Sequence, residues 1–525
     1  MFTRNVSLIV RRNFKFCLCI RYKSDSSSKQ PDNYYDPDSI HENPLSRCKR
    51  FLKRDINELL KKANDPFEQY EDNKIFPKTV DVLIVGGGVI GSSIAYWLQN
   101  KCRDGLTIAV IEKDLSVNKS VISTEEYAKA SSVLSCGGIR QQFSLKENIQ
   151  LSQFSAEFLR DIKDYLTIPE HEPPEINFNP SGYLFLATKN GVDTMLKNHQ
   201  LQKELKANVE LLSKDMLKTK FPWLNVDDIE LGSLGTLNSG WFDPWSLNKA
   251  KSLGTYYVEG EVKDFGFKTD TSIVVEEDPN KEYEGINSVK VKLKDGETQQ
   301  IVFGLCIVAA GAESGKIARM AKVGKGKGFL STPLPIEPRK RFVYYYHAPK
   351  GPSMSPMVID PSGVYFRPDS FDNHYICGKS PCDAEEPETI NLDVDHDFFE
   401  KQIWTSLAHR VPAFEEAKVK SSWAGYYDYN WYDQNGVIGS HPSYFNLFFA
   451  TGFSGHGIQQ APAVGRAMME MITESGFNSI DLSRLGFGRL IAEQPLYEQN
   501  IMVTIVDKKS MWQVSMEKLS IENNA

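Results

Sequence analysis

The sequence has no long run of hydrophobic residues. None of its apolar stretches approaches the roughly 18 to 20 residues that a helix needs to cross a bilayer. Hydrophobic residues nevertheless make up 41% of the 525 residues, and a chain of this length can bury the cores of two or three domains. We therefore predict a protein of several domains with no transmembrane segment.

Cysteine is scarce and irregularly spaced. The eight cysteines include no C-x-x-C pair, and their spacing matches neither a zinc-binding motif nor a disulfide framework. The sequence therefore predicts reduced thiols and no metal site.

The chain as a whole also lacks an excess of positive over negative charge. The formal net charge of -7 argues against a nucleic-acid-binding protein. Residues 1–24 are the exception, because six basic residues precede the first acidic one, Asp25. This pattern is typical of a mitochondrial transit peptide, and it predicts a location in the matrix or at the matrix face of the inner membrane. A secretory signal or a disordered start is the alternative.

Residues 25–77 are rich in Ser, Asp, Asn and Pro, which predicts a linker. Within it, residues 45–63 combine hydrophobic residues at helical spacing with many Lys and Arg residues. Such a helix can dock on an acidic partner or a membrane surface. It can equally be a surface helix packed on the body of the protein.

A nucleotide-binding turn is the strongest pattern in the chain. The apolar residues Val82–Val85 predict a buried strand, and the spacing Gly86-x-Gly88-x-x-Gly91 then precedes a helical segment. Glycines at this spacing allow a tight turn, close approach of a pyrophosphate and close packing of helix on strand. A second apolar strand ends at Glu112, where an acid would bind the ribose hydroxyls.

A second glycine turn lies near the other end of the chain. Residues 446–451 predict a strand, GFSGHG at 452–457 a turn, and residues 458–473 a helix. The N-terminus of that helix suits an anion or an electron-rich ring edge. Between the two turns, a double glycine and Arg140 follow a run of small residues, and strand patterns rich in Tyr, Phe and Val predict a separate antiparallel sheet.

Taken in order, GGGVIG, the strand ending at Glu112, GGIR, AAGA and ATGFSGHGIQQAPAVGR resemble the FAD-dependent glycine and D-amino-acid oxidase family. The resemblance covers residues 80–473. It implies α/β plus α+β architecture, with a discontinuous Rossmann-like FAD-binding domain and an antiparallel-sheet substrate domain. We assign residues 78–145, 232–325 and 415–490 to the first domain, 146–231 and 326–414 to the second, and 491–525 to a C-terminal extension.

The resemblance also implies the residues of the cofactor site. The turn and the end of the second strand would bind the pyrophosphate and ribose, the GGIR stretch would run along the flavin, and the second turn would present N–H groups to the flavin pyrimidine. Ala309, Ala310 and Gly311 would contact the dinucleotide, and Val262 its adenine side. The remaining residues are Gly86, Gly88, Val89, Ile90, Gly91, Glu112, Lys113, Ser131, Ser132, Gly138, Ile139, Arg140, Gly452, Phe453, Ser454, Gly455, His456, Gly457 and Ile458.

Two departures from the family pattern are informative. Some members attach FAD through a histidine near the position of Ser135, or through a cysteine after the position of Trp423. This chain has no histidine between His41 and His171 and no cysteine after Cys382, so we predict non-covalent FAD. Sarcosine oxidases also bind the substrate carboxylate with a lysine where this chain has Gln459, which weakens the case for a small amino-acid substrate.

Arg140 and His456 are the candidate catalytic residues. Arg140 can bind a carboxylate or form an ion pair inside the domain interface. His456 can relay a proton or fix the glycine turn. The aromatic residues between Trp423 and Tyr432 can line a cage for a cationic amine or pack in the core.

Two classes of function follow from the resemblance. GFSGHGIQQAP and PRKRFVYYY are similar to a mitochondrial member of the family associated with assembly of respiratory complex I. The first prediction is therefore an FAD-containing assembly factor whose partners are complex I subunits or intermediates. The alternative is an oxidoreductase for sarcosine, dimethylglycine or a related N-methyl amine.

Overall fold

The computed structural model describes residues 76–114, 130–166, 175–244, 255–274, 282–369 and 372–499. The predicted transit peptide, the helix at 45–63 and the chain after residue 499 lie outside these residues. The description below concerns the compact unit that begins at Lys78. None of its described helices is both long and apolar enough to cross a membrane.

Strands and helices alternate in the first part of the described chain, and strands are more frequent in the later part. The strands are β1 (Thr79–Val85), β2 (Ile108–Glu112), β3 (Gly138–Ile139), β4 (Tyr183–Ala187), β5 (Val209–Ser213), β6 (Leu231–Gly235), β7 (Gly240–Trp241), β8 (Tyr256–Val274), β9 (Glu282–Leu293), β10 (Thr298–Val308), β11 (Ile336–His347), β12 (Met357–Ile359), β13 (Tyr365–Pro368), β14 (His374–Gly378), β15 (Lys418–Asn430), β16 (Val437–His441) and β17 (Tyr444–Thr451). The helices are α1 (Val89–Cys102), α2 (Lys146–Arg160), α3 (Ile162–Leu166), α4 (Val192–Glu204), α5 (Lys214–Lys220), α6 (Ser314–Met320), α7 (Thr405–Arg410), α8 (Gly457–Glu474) and α9 (Gly488–Ile491).

The first sheet is built around β1, which lies between β2 and β10 and is parallel to both. The other side of β10 pairs with β17 in parallel, and β16 pairs antiparallel with β17. The start of β8 is parallel to β2, and its later residues pair antiparallel with β9. The hydrophobic residues of β1 from Val82 onward are fully buried, as expected for a central strand covered on both faces.

Helices α1 and α8 pack together against this sheet. Their backbones approach closely, because a Cβ at Gly465 would overlap Ser93. The hydroxyl of Ser93 donates to the carbonyl of Ala461 at 2.7 Å, and the indole N–H of Trp97 donates to the carbonyl of Pro462 at 2.9 Å. This packing joins residues that lie far apart in the sequence, so the two glycine turns that precede the helices are held in one domain.

The second sheet has the order β15-β11-β14-β13-β12-β4-β6-β5. All of its pairings are antiparallel except that of β12 with β4. One face buries a core that includes Leu217 of α5 and Leu407 of α7. The predicted combination of an α/β sheet with a separate, largely antiparallel sheet is confirmed.

The assignment of segments to the two sheets differs from the predicted domain boundaries. Strands β6 and β15 lie in the second sheet, although β15 and all of β6 after Leu231 fall in segments assigned to the FAD-binding domain. Conversely, α2 was assigned to the substrate domain, yet Ser155 of α2 accepts a hydrogen bond from the N–H of Ala463 in α8 at 3.4 Å. The physical reason is that the apolar pattern of a short strand or helix predicts its burial and leaves its packing partner open.

Candidate functional site

The glycine turn between β1 and α1 is shaped by two of its three motif glycines. Gly86 has φ of 108°, and a Cβ there would overlap the backbone of Ala309. A Cβ at Gly91 would overlap the carbonyl oxygen of Gly86. Both glycines are therefore required by the packing of the protein itself.

Gly88 differs from Gly86 and Gly91, because the described atoms around it leave room for a Cβ. The nearest described atom to a Cβ at Gly88 is Oγ of Ser132, at 3.8 Å, and a Cβ at Gly311 would have no described atom within 4 Å. Gly88 is also the N-cap of α1, whose first turn has no acidic residue and no side-chain cap. An open turn at an uncapped helix N-terminus fits the pyrophosphate of a dinucleotide.

Glu112 fixes the turn from the end of β2. Its carboxylate accepts the N–H of Gly87 at 2.7 Å and that of Asp114 at 3.2 Å. Burial raises the pKa of Glu112, while these backbone hydrogen bonds act in the opposite direction. The acid that was predicted to bind the ribose thus lies directly beside the first glycine turn.

The other residues that were predicted to contact the dinucleotide lie in different surroundings. Oγ of Ser132 lies 3.4 Å from the N–H of Val89, and Ala309 donates its N–H to the carbonyl of Val85 at 2.8 Å. Val262 is buried in β8. Ser131 and Lys113 are exposed, and the ammonium of Lys113 lies 3.7 Å from the carboxylate of Glu261.

Arg140 follows β3 and is almost completely buried. Its side chain is 2% exposed and donates to the carbonyl of Gln142. Its guanidinium carbon lies 3.9 Å from the ring centre of Phe143 and 4.9 Å from that of Phe185. Such stacking compensates part of the cost of burying the cation.

His456 lies beside Arg140 and is neutral. Burial, assisted by the positive charge of Arg140, lowers the pKa of His456 to about 3. Its Nε2 lies 3.1 Å from a guanidinium nitrogen of Arg140, and Arg140 can only donate. Nε2 is therefore the acceptor in this pair, and His456 carries its ring proton on Nδ1.

Asp428 of β15 occupies part of the second glycine turn. Its carboxylate accepts the N–H groups of Gly452 at 2.8 Å and Phe453 at 3.0 Å, and its carbonyl accepts that of Ser454 at 3.2 Å. This differs from the prediction that residues 452–458 all present N–H groups to the flavin. Gly455, Gly457 and Ile458 are the donors that remain at the start of α8.

Gln459 also has a role that the sequence analysis missed. Its side-chain oxygen accepts the backbone N–H of Arg140 at 3.0 Å, and the residue is buried. The position that carries a lysine in sarcosine oxidases therefore joins α8 to the GGIR stretch.

The aromatic residues between Trp423 and Tyr432, expected either to line a cage or to pack in the core, have hydrogen-bond partners in different segments. Trp423 donates to the carbonyl of Leu134 at 2.9 Å, and Tyr426 donates to the carbonyl of Thr389 at 2.9 Å. Tyr427 lies beside the second turn, since a Cβ at Gly455 would lie 2.5 Å from its ring. Packing thus separates side chains that are neighbours in the sequence.

Tyr427 instead belongs to a buried group drawn from distant segments. Burial raises the pKa of Tyr427 to about 12, and the nearby Cys136 contributes to this shift. The pKa of Tyr183 is likewise raised by burial, and its ring lies 5.9 Å from the guanidinium of Arg140. Tyr183, Phe185 and Asp428 were missed because only the pairing of distant strands places them here.

Comparison with known proteins identifies this arrangement. A family model described as "DAO: FAD dependent oxidoreductase" matches residues 81–471. FAD-dependent oxidoreductase domain-containing protein 1 of Xenopus laevis is 49% identical over 437 residues, covering 81% of this chain and 85% of that protein. The homolog of Drosophila melanogaster is 45% identical over 436 residues and covers 81% of each.

Solved structures share the fold, and two of them serve as examples. L-proline dehydrogenase from P. horikoshii superposes with a TM-score of 0.63 at 24% identity, covering 80% of this chain and 100% of that one. Glycine oxidase from Geobacillus kaustophilus gives 0.60 at 21% identity, with 78% and 98% covered.

Proposed function

Because the chain belongs to the DAO family of FAD-dependent oxidoreductases and its cofactor is FAD, we propose that it is a mitochondrial flavoprotein that acts in the assembly of respiratory complex I. The basic N-terminus supports import into the mitochondrion. The similarity of GFSGHGIQQAP and PRKRFVYYY to the family member associated with complex I supports the role in assembly.

The observation that carries this proposal is the hydrogen bond from the N–H of Arg140 to Gln459. The lysine that binds the substrate carboxylate in sarcosine oxidases is replaced here by Gln459, whose side chain joins two parts of the FAD-binding domain. The glycine turn that would bind the cofactor is retained, whereas the lysine that would bind a substrate is absent. This combination favours a protein in which FAD stabilises the fold and a partner recognises that fold. Gly88, Glu112 and the N-terminus of α1 would hold the dinucleotide, which we propose is bound non-covalently.

Mitochondria provide the test of this role. The tagged full-length chain is expressed in cells that lack the endogenous protein, and complex I is measured on native gels together with the subunits that co-purify with the tag. We expect assembly intermediates in the purified material and a loss of mature complex I in the absence of the protein. Normal complex I levels and no co-purifying subunits would contradict the assembly role.

Oxidation of an N-methyl amine is the second candidate, and the pair of Arg140 and neutral His456 favours it. When bound, FAD can accept a hydride from a C–H bond next to nitrogen, and water then hydrolyses the resulting imine to an amine and an aldehyde. Arg140 would position the substrate, and Nε2 of His456 would hold the guanidinium in place. The tyrosine side chains beside them would exclude water from the site.

Anaerobic reduction of the purified flavoprotein tests this second candidate. Sarcosine, dimethylglycine and other N-methyl amines are added in turn, and the flavin absorbance is followed. Bleaching by one of them would establish the donor. If FAD is bound and none of these compounds bleaches it, amine oxidation is not the activity of this site.

A further inference from the structure

Strand β11 carries two arginines, Arg339 and Arg341, on the face that points towards the second glycine turn. The next residue, Phe342, belongs to the core that the second sheet shares with α5 and α7, and successive side chains of a strand point to opposite faces of a sheet. Arg339 is paired with Tyr427 of β15, and the ring of Tyr427 would lie 2.5 Å from a Cβ at Gly455. Both arginines therefore lie on the same face of the sheet as the side chain that borders the turn.

Arg341 is buried and binds a carboxylate of its own chain. It is 8% exposed, and its two terminal nitrogens donate to the two carboxylate oxygens of Glu386, each at 2.8 Å. Its guanidinium carbon lies 5.4 Å from the ring centre of Tyr427. Nε of Arg341 is buried and has no hydrogen-bond partner among the described residues. A two-fold planar contact of this kind is the one that arginine makes with the carboxylate of a ligand.

Arg339 adds a second positive charge at this place. Its guanidinium lies 3.2 Å from the carboxylate of Glu386 and 4.6 Å from the ring centre of Tyr429. It also binds Glu337 at 2.8 Å. The side chains of Arg339 and Glu386 are 18% and 14% exposed. Two guanidinium groups thus converge on one carboxylate at a place that borders solvent.

Glu386 comes from a loop and not from the sheet. Residues 386–398, all of which the structure describes, form no helix or strand. The hydroxyl of Tyr426 in β15 donates to the carbonyls of Thr389 at 2.9 Å and Asn391 at 3.0 Å. A loop that is attached to a sheet through side chains can open locally while the backbone pairing of the strands stays intact.

We propose that Arg341 binds the carboxylate of a small amino acid, and that Glu386 occupies this site until the amino acid displaces it. This inference rests on amine oxidation, the second candidate function, and makes its substrate class an N-methyl amino acid. Gln459 is uncharged where sarcosine oxidases carry a lysine, and Arg341 supplies a positive charge from the second sheet. Tyr427 lies between Arg341 and the turn that contains His456, so the carboxylate site adjoins the candidate catalytic residues.

Methoxyacetate binding to the FAD-loaded protein tests the proposal without turnover, because this carboxylate has the shape of sarcosine and no amine to oxidise. Glu386→Gln removes the competing charge and nearly keeps the size of the side chain. We therefore expect methoxyacetate to bind about tenfold more tightly to this variant than to the wild type. Binding is followed by calorimetry and by the flavin absorbance. Damage to the site would weaken binding, so the sign of the effect separates competition from loss of structure.

Glu388→Gln is the matched control, since Glu388 is exposed and belongs to the same loop, and it should bind methoxyacetate as the wild type does. The double variant with Glu386→Gln and Arg341→Gln removes both partners, so that neither buried charge is left alone, and it should lose the gain. Equal or weaker binding by Glu386→Gln, with FAD retained, would overturn the proposal. Failure of N-methyl amines to bleach the flavin would instead count against amine oxidation and leave the methoxyacetate result standing.

Hydrogen exchange of the wild-type protein is a second measurement, in case Glu386→Gln does not retain FAD. Saturating methoxyacetate should displace Glu386 and speed the exchange of backbone amides in residues 386–398. Unchanged exchange in this loop, or no binding of methoxyacetate by the wild type, would contradict the displacement of Glu386 from Arg341.

Discussion

The two glycine turns precede helices that pack side by side, but the N–H groups of the two turns differ in their hydrogen-bond partners. In the turn at residues 86–91, Gly88 faces open space and α1 has no side-chain cap. In the turn at residues 452–457, Asp428 binds the N–H groups of Gly452 and Phe453. A glycine-rich turn before a helix is therefore not by itself a ligand site, because a carboxylate from a distant strand can occupy its donors.

The largest effects are expected for substitutions at two glycines of the first turn, one of which should impair FAD binding and the other folding. Gly88→Val should fold normally but weaken FAD binding more than about a hundredfold, since the added side chain fills the space for the pyrophosphate. Gly86→Val should destabilise the protein by roughly 3 kcal/mol or more, because its positive φ and contact with Ala309 exclude a side chain. Flavin content and the thermal unfolding of the apoproteins distinguish the two. A Gly88→Val protein with a full complement of FAD would refute the site.

Removal of the Gln459 side chain tests the link between the second helix and Arg140. Gln459→Ala leaves the buried N–H of Arg140 without its acceptor, which should cost about 1 to 3 kcal/mol of unfolding free energy. Gln459→Glu keeps an acceptor oxygen and should restore much of the loss. Chemical denaturation measures both, and equal stability of the alanine variant and the wild type would contradict the assigned contact.

Two groups at the second turn should give opposite pH dependence. The pKa of Asp428 is raised to about 6 by burial, above its unfolded value of about 3.9, so its contribution to stability falls as the pH rises from 4 to 6. The pKa of His456 is lowered to about 3, below its unfolded value of about 6.5, so its contribution is present above pH 6.5 and is lost as the pH falls.

Single variants should reveal the opposite effects of these two groups on the pH dependence of stability. Between pH 4 and 6, Asp428→Asn should make stability rise more steeply with pH, and His456→Gln should make it rise less steeply or fall. Each change should amount to about 1 kcal/mol, allowing for the partial exposure of both residues. Denaturant unfolding at several pH values is the measurement. Slopes that match the wild type in both variants would show that neither group has the assigned environment.

The smallest effect is expected at Ser132, whose hydroxyl lies 3.4 Å from the N–H of Val89. Ser132→Ala should weaken FAD binding only a few-fold, corresponding to about 0.5 to 1 kcal/mol. Ser131→Ala is the control, because Ser131 is exposed and should leave the affinity unchanged. Titration of the apoproteins with FAD compares them. A larger loss at Ser131 than at Ser132 would reverse the assignment.

The first turn could be predicted from the sequence because its structure depends on local spacing. A strand, three glycines and a helix within about twenty residues are sufficient to form it, and Glu112 follows at the end of the next strand. The first turn alone admits NAD as well as FAD, and the choice of FAD and the expectation of two kinds of sheet came from the resemblance to the oxidase family. Arg140 and His456 were also identified as candidates, although their mutual contact was not.

The tertiary structure alone decided which groups meet at those local elements. It placed β6 and β15 in the second sheet, brought Asp428 to the second turn, and joined Glu498 to Ser144, which follows Arg140 by four residues. Residue patterns determine which faces are buried, and the partners of those faces are chosen by packing among residues hundreds of positions apart. The sequence by itself therefore determined the glycine turn before α1 and the resemblance to an FAD-binding family, and only the fold decided which groups surround the candidate residues Arg140 and His456.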